Sequence, residues 1–377
     1  MSAAEAHAPS TGLVLPPEHE APRRLLQLRR AEAWRLLKAH AATGDLRIAR
    51  PLADLARSAP DDAVDVLADP IASVLARCGR HDDAADAWAL ELARRGALPG
   101  RHDLHGKHVA NLALGAIFSG ARMTLASGKI VIDGRTVALG SVAPEQFVEL
   151  RPGIRFATYD PNPLALVEAH PDKRGNALSL GGRDAREWIA ALNEALAIVE
   201  RHLPTIIDEM RALSMVLVPV GYEPEKHLSA SYREYVGACY LTLHPDVRTM
   251  AEAIVHEFQH NKANLASYHD ALLENALGTM VRSPVRPDLR PIWGVLLAVH
   301  AFVPVAELYR RMLAAGDVRI QSRLADVIAR NDEGLRTVRE HAEPTRIGAA
   351  LIEELEALHA THLALDLAKP AGVSWEA

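Results

Sequence analysis

The chain has 377 residues, 49% of them apolar and 24% charged, with a formal net charge of -6. That is ample for a large core in one to three domains, and the mild negative balance excludes a whole-molecule field for nucleic acid or an anionic membrane. Two cysteines, Cys78 and Cys239, exclude a disulfide framework and a thiolate zinc site; with no signal-peptide pattern at the start and no run read as membrane-spanning, a cytoplasmic protein is expected.

Residues 1–18, rich in Ala, Pro and His, are expected to be loose. A helical region follows over 19–119, with amphipathic patterns from Pro22 to Gly44, Leu52 to Arg57, Val64 to Arg77 and Asp83 to Ala97. His102, His105 and His108 lie three apart, but Gly106 interrupts them and their neighbours are polar, so they read as surface residues. Val109 to Phe118 is apolar enough to be a core helix. From residue 120 the pattern turns to strands. Lys129–Leu139 holds two β-type runs joined by Asp133-Gly134, a hairpin signal, and Gln146–Leu150 and Ile154–Tyr159 read as further strands. Helix returns from Arg186 to Met210 with a break at Pro204, followed by buried strands at 214–220 and 237–244. Helices are expected from Val247, over Ile292–Ala314, and in two later blocks, Val318–Glu340 and Ile347–Leu367. The fold class is α+β, helix-dominated: a helical N-terminal region, then a mixed module over 120–377 carrying its site on helices near 247–268 and 292–314.

That site is announced by His256-Glu257-Phe258-Gln259-His260. In a helix, His256 and His260 stand one turn apart on one face and can bind one metal ion, while Glu257, about 100° further round, borders that face. The flanking Ala251, Ala253, Ile254, Val255 and Phe258 make this a buried helix, and burying two imidazoles and a carboxylate without partners costs several kcal/mol. A metal supplies the missing partner.

Two histidines need a further ligand, and its identity separates the possible chemistries. The metzincin pattern fails, since Ala263 and Ala266 stand where glycine and histidine would be needed. Glu274, His269 and Asp270 lie roughly 13 to 21 Å along a continuous helix, out of reach unless the chain turns back. His300 is the better candidate, the one strongly polar residue in an apolar run with Pro304 one turn on; its structural alternative is a core histidine bonded to a backbone carbonyl. Between these helices, Arg282-Ser-Pro-Val-Arg286-Pro-Asp288-Leu-Arg290-Pro291 holds arginines in a proline-stiffened loop, suited either to gripping an anionic co-substrate or to pairing with Asp288.

His256-Glu-Phe-Gln-His260-Asn-Lys262, preceded by the Gly237–His244 strand and followed by Arg286-Pro-Asp-Leu-Arg290-Pro, Gly294-Val-Leu and His300-Ala-Phe302, resembles the HExxH-containing peptide-modification family. The resemblance covers roughly residues 120 to 340. It implies an iron(II)- and 2-oxoglutarate-dependent dioxygenase that hydroxylates the β-carbon of a residue in a ribosomally made precursor peptide, with oxygen as second co-substrate. It carries the metal histidines onto His256 and His260 and the keto-acid arginines onto Arg286 and Arg290, with His300 as the proposed third ligand and Glu257 orienting the peptide or a ligand water. Two other readings stand beside it: a zinc metallopeptidase with Glu257 as general base, and a non-catalytic peptide-binding module.

Overall fold

A computed structural model describes residues 11–16, 22–43, 45–167, 169–170, 173–283 and 286–367. The fold is helix-dominated α+β, as expected. It forms two compact units: one gathers the described residues within Met1–Leu25, Ala195–Asp208 and Ala251–Ala377, the other Leu26–Glu194 and Glu209–Met250. These cut across the boundary expected near residue 119.

The second unit opens with α1 (Arg23–Ala42, its first residues in the other unit), α2 (Leu46–Ser58), α3 (Pro60–Leu67), α4 (Pro70–Arg77) and α5 (His81–Arg94). Asp45 and Asp69 cap α2 and α4 by accepting from the Arg47 and Ala72 N–H groups, and Pro70 at the first position of α4 splits the single pattern expected over Val64–Arg77. Val109–Phe118 is not a helix. It forms an antiparallel pair, His108–Asn111 with Ala116–Ser119, because Gly115 takes a positive φ of 66° and Asn111 Oδ1 accepts from Leu114 N–H, closing a tight turn inside the apolar run. His102 is buried and not a surface residue, whereas His108 is exposed and His105 stands over Asp86 at 3.1 Å.

A four-stranded antiparallel sheet follows, ordered His102–Asp103, Met123–Ala126, Lys129–Ile132, Arg135–Ala138. Its Asp133-Gly134 turn has both residues at positive φ, 48° and 85°, the mirror-type turn that matches strand twist. The five-stranded sheet places Val216–Tyr222 parallel to both Ala238–Leu243 and Ile154–Ala157, with Ser229–Ala230 and Phe147–Arg151 antiparallel at the edges. One apolar core, including Trp88, Phe147, Tyr235 and Tyr240, underlies helices and strands together. That shared core is why no boundary falls at residue 119.

α6 (Ala185–His202), α7 (Pro204–Ala212) and α8 (Val247–Ser267) each run across a unit boundary. The first unit then contains α9 (Ile292–Ala314), α10 (Gln321–His341) and α11 (Arg346–Leu363). By length and composition α9 is apolar enough to cross a membrane, contrary to the expectation that no run is. It is instead a core helix, packed on α10 and α11 with most of its surface buried. Asn331 of α10 donates to the Phe302 carbonyl at 3.0 Å. Glu307 accepts from Arg310 and Arg311 and sits 3.2 Å from His362 of α11. Although burial opposes its charge, these partners hold the Glu307 carboxyl well below its ordinary range.

The N-terminal stretch departs from the loose segment expected over 1–18. Residues 1–10 and 17–18 lie outside the described residues, but Thr11, Leu13 and Val14 are buried in the first unit.

Candidate metal centre

α8 is wrapped by apolar contacts: Met250, Ala251, Ile254, Val255 and Phe258 are fully or nearly fully buried. Unbroken backbone bonding over 21 residues keeps the helical period through the motif, so His256 and His260 share a face. Their rings stand 4.5 Å apart at 83°, each partly exposed, while Glu257 is buried. One donor atom from each of His256, Glu257 and His260 lies within 4.8 Å of the others. Among the described residues this is the one group of three or more metal-type side chains so arranged. An ion with bonds of about 2.0–2.2 Å spans donors up to roughly 4 Å apart, so a small closing of the side chains fits the set to one ion.

Burial sets the protonation state of the second histidine. Desolvation by the surrounding apolar wall pushes His260 down to about 4, leaving a neutral ring with a lone pair at physiological pH. Its Nδ1 makes no hydrogen bond. The Phe302 ring of α9 stands 4.4 Å from the His256 ring at 59° and restricts its tilt. One turn before the motif, Glu252 is held by Tyr309 Oη–H at 2.5 Å and by both nitrogens of the Arg323 fork, which anchors α8 to α9 and α10. Glu252 is thereby committed to its clamp, and Glu307 to its own network.

The structure places His300 apart from the converging donors. It is buried on α9, but its Nε2 lies 2.8 Å from the Leu13 carbonyl oxygen. A carbonyl has no proton to give, so Nε2 carries the hydrogen, and the neutral ring's lone pair lies on Nδ1. Burial, then the Lys262 charge, pushes His300 down to about 3, so its ring is neutral. The group of converging donors holds Glu257 as its third member.

The arginine loop is an antiparallel pair, Met280–Ser283 with Arg286–Pro291. Arg290 Nε lies 3.6 Å from Asp288 Oδ2, and its side chain packs over Gly294 in the first turn of α9. Arg286 begins its strand; its side chain, and residues 284 and 285, lie outside the described residues. Glu274 is exposed, with its backbone bonded to the Glu343 carbonyl, and does not join the metal group.

Sequence reasoning missed the groups that grip Thr11–Val14. Gln259 Nε2 and Lys262 Nζ both donate to the Val14 carbonyl, at 3.0 and 3.1 Å. Glu354 of α11 accepts from the Thr11 N–H, and from its hydroxyl at 2.9 Å. The available signal was the uncharged Gly-Leu-Val-Leu-Pro run in an otherwise polar N-terminus.

No protein-family model matches this sequence, and no match was found among curated proteins.

Proposed function

We propose that the chain is an iron(II)- and 2-oxoglutarate-dependent dioxygenase that hydroxylates the β-carbon of a residue in a ribosomally made peptide, with His256, His260 and Glu257 as the protein donors. What carries the reading is the donor set: two imidazoles and one carboxylate converging from a single helix. Two histidines and a carboxylate with open positions opposite are the usual holder of non-haem iron in oxygenases. Bound there, iron would supply the oxidising chemistry, with oxygen and the keto acid as co-substrates. The protein's own part is to keep the His260 imidazole neutral, to hold the His256 ring against Phe302, and to fix α8 through the Glu252 clamp. Glu257 contributes the one negative charge of the set, so that binding the anionic keto acid is not opposed by a second carboxylate. Arg290, with Arg286, is the proposed holder of the distal carboxylate, which would replace Asp288 as the arginine's partner.

The buried Glu257 beside two histidines is also where a zinc peptidase keeps its general base, so a peptidase is the second reading. Such an enzyme needs a further protein ligand once Glu257 is assigned to the base, and Glu274, Glu307 and His300 are each placed or bonded elsewhere. Metal analysis of the purified chain, followed by incubation with iron(II), 2-oxoglutarate and candidate peptides, separates the two. Succinate formed together with a peptide heavier by one oxygen atom is expected. Peptide cleavage by a zinc-loaded chain indifferent to 2-oxoglutarate would overturn the proposal.

A further inference from the structure

Thr11–Val14 is held in an unusual way for a stretch of backbone: side chains from three helices bond its main-chain groups. The Leu13 carbonyl takes the His300 Nε2–H at 2.8 Å. Its neighbour, the Val14 carbonyl, takes both Gln259 and Lys262. Glu354 accepts from the Thr11 N–H. All of these side chains but Glu354 are almost wholly buried, as are Leu13 and Val14. Buried donors of this strength demand acceptors, and a peptide backbone supplies them at regular intervals whatever its side chains.

The receptor adjoins the metal group. Gln259 is the residue before His260, about 60° round the helix from His256 on the side away from Glu257. His300 meets the backbone of the same Gln259. The resident segment, Thr-Gly-Leu-Val-Leu-Pro, has no charged residue. It is therefore read through its backbone and two apolar anchors.

We infer that Gln259, Lys262, His300 and Glu354 form a receptor for an extended peptide backbone, and that residues 11–16 are a strap filling it in cis, which a peptide substrate replaces on its way to His256 and His260. This rests on the peptide-substrate reading of the site and adds its regulation: the strap occupies the backbone donors beside the metal group until a peptide competes for them. An intramolecular segment competes at an effective concentration in the millimolar range, so a peptide must either bind well or arrive when the strap is released.

The test uses the full chain and a fluorescein-labelled peptide copying residues 11–16, followed by anisotropy. Releasing the strap with the double substitution Leu13→Asp, Val14→Asp is expected to tighten probe binding by at least about tenfold over the wild type, because the competitor in cis is gone. Adding Lys262→Met to that chain is expected to reverse the gain. Equal binding by the wild-type and released chains, or binding by neither, overturns the inference. Should the released chain fail to fold, the wild type decides: hydrogen exchange at residues 11–16 is expected to rise when the unlabelled peptide is added at millimolar concentration, and unchanged protection overturns the inference. None of these readouts needs metal or keto acid. A chain that binds the probe but forms no succinate thus defeats the oxygenase reading alone, and one that hydroxylates peptide without binding the probe defeats the strap alone.

Discussion

Substituting His300 separates a ligand from a buried hydrogen-bond donor. In His300→Ala the Leu13 carbonyl loses its partner in a dry environment, which costs about 1–3 kcal/mol, and the emptied ring volume adds roughly 2 kcal/mol. The expected destabilisation is therefore about 3–5 kcal/mol. A domain of this size moves by about 2–4 °C per kcal/mol, so the melting midpoint should fall by roughly 6–20 °C, read by calorimetry. His300→Gln keeps an amide donor able to reach the same carbonyl and should recover about half of that loss. Iron stoichiometry, measured by elemental analysis after anaerobic loading, should stay within about twofold of the wild type in His300→Gln, since His300 lies outside the group of converging donors. His260→Ala, the control, should load no iron. A folded His300→Gln protein without iron, under conditions that saturate the wild type, would refute the assignment of Glu257 over His300 as third donor.

Three further outcomes are expected. Glu257→Gln should weaken iron binding by more than the about 10- to 100-fold that loss of a supporting group costs a metal site, as measured by competition with a chelator; full iron affinity with lost peptide cleavage would favour the zinc-peptidase reading. Arg323→Leu strips the clamp from Glu252, and because the arginine is 38% exposed the cost should be about 1–3 kcal/mol rather than the larger figure for a fully buried pair; urea unfolding that shows no change would mean Tyr309 alone suffices. Asp160 is pushed up to about 6 by burial, against the opposing hydrogen bonds from the Asn162 N–H and the Tyr240 hydroxyl, from an ordinary value of 3.8. The folded chain then holds the extra proton between those values, so stability falls by about 1–3 kcal/mol as pH rises from about 4 to 6. Asp160→Asn should flatten that fall, leaving the share of Asp69, which is shifted the same way; an unaltered urea midpoint profile across pH 4 to 6 would contradict the linkage.

The peptide period carries most of what could be read in advance. Residues four apart meet on a helix wherever the helix lies, so the pairing of His256 with His260, and the border position of Glu257, were legible from spacing and apolar flanks. The Asp133-Gly134 hairpin and the break at Pro204 follow equally from local backbone chemistry, because left-handed turns and a missing N–H act within a few residues. Tertiary structure decided the rest. Val109–Phe118 is helical by composition and became two strands because a turn at Gly115 lets both pack in a shared core. His300 stood out as a ligand by composition and proved to be a donor to Leu13, a contact across 287 residues that no periodic pattern encodes. The third donor is thus decided by packing, since an imidazole can give one nitrogen to a carbonyl and the other to a metal, and only the tertiary structure determines which side chains converge.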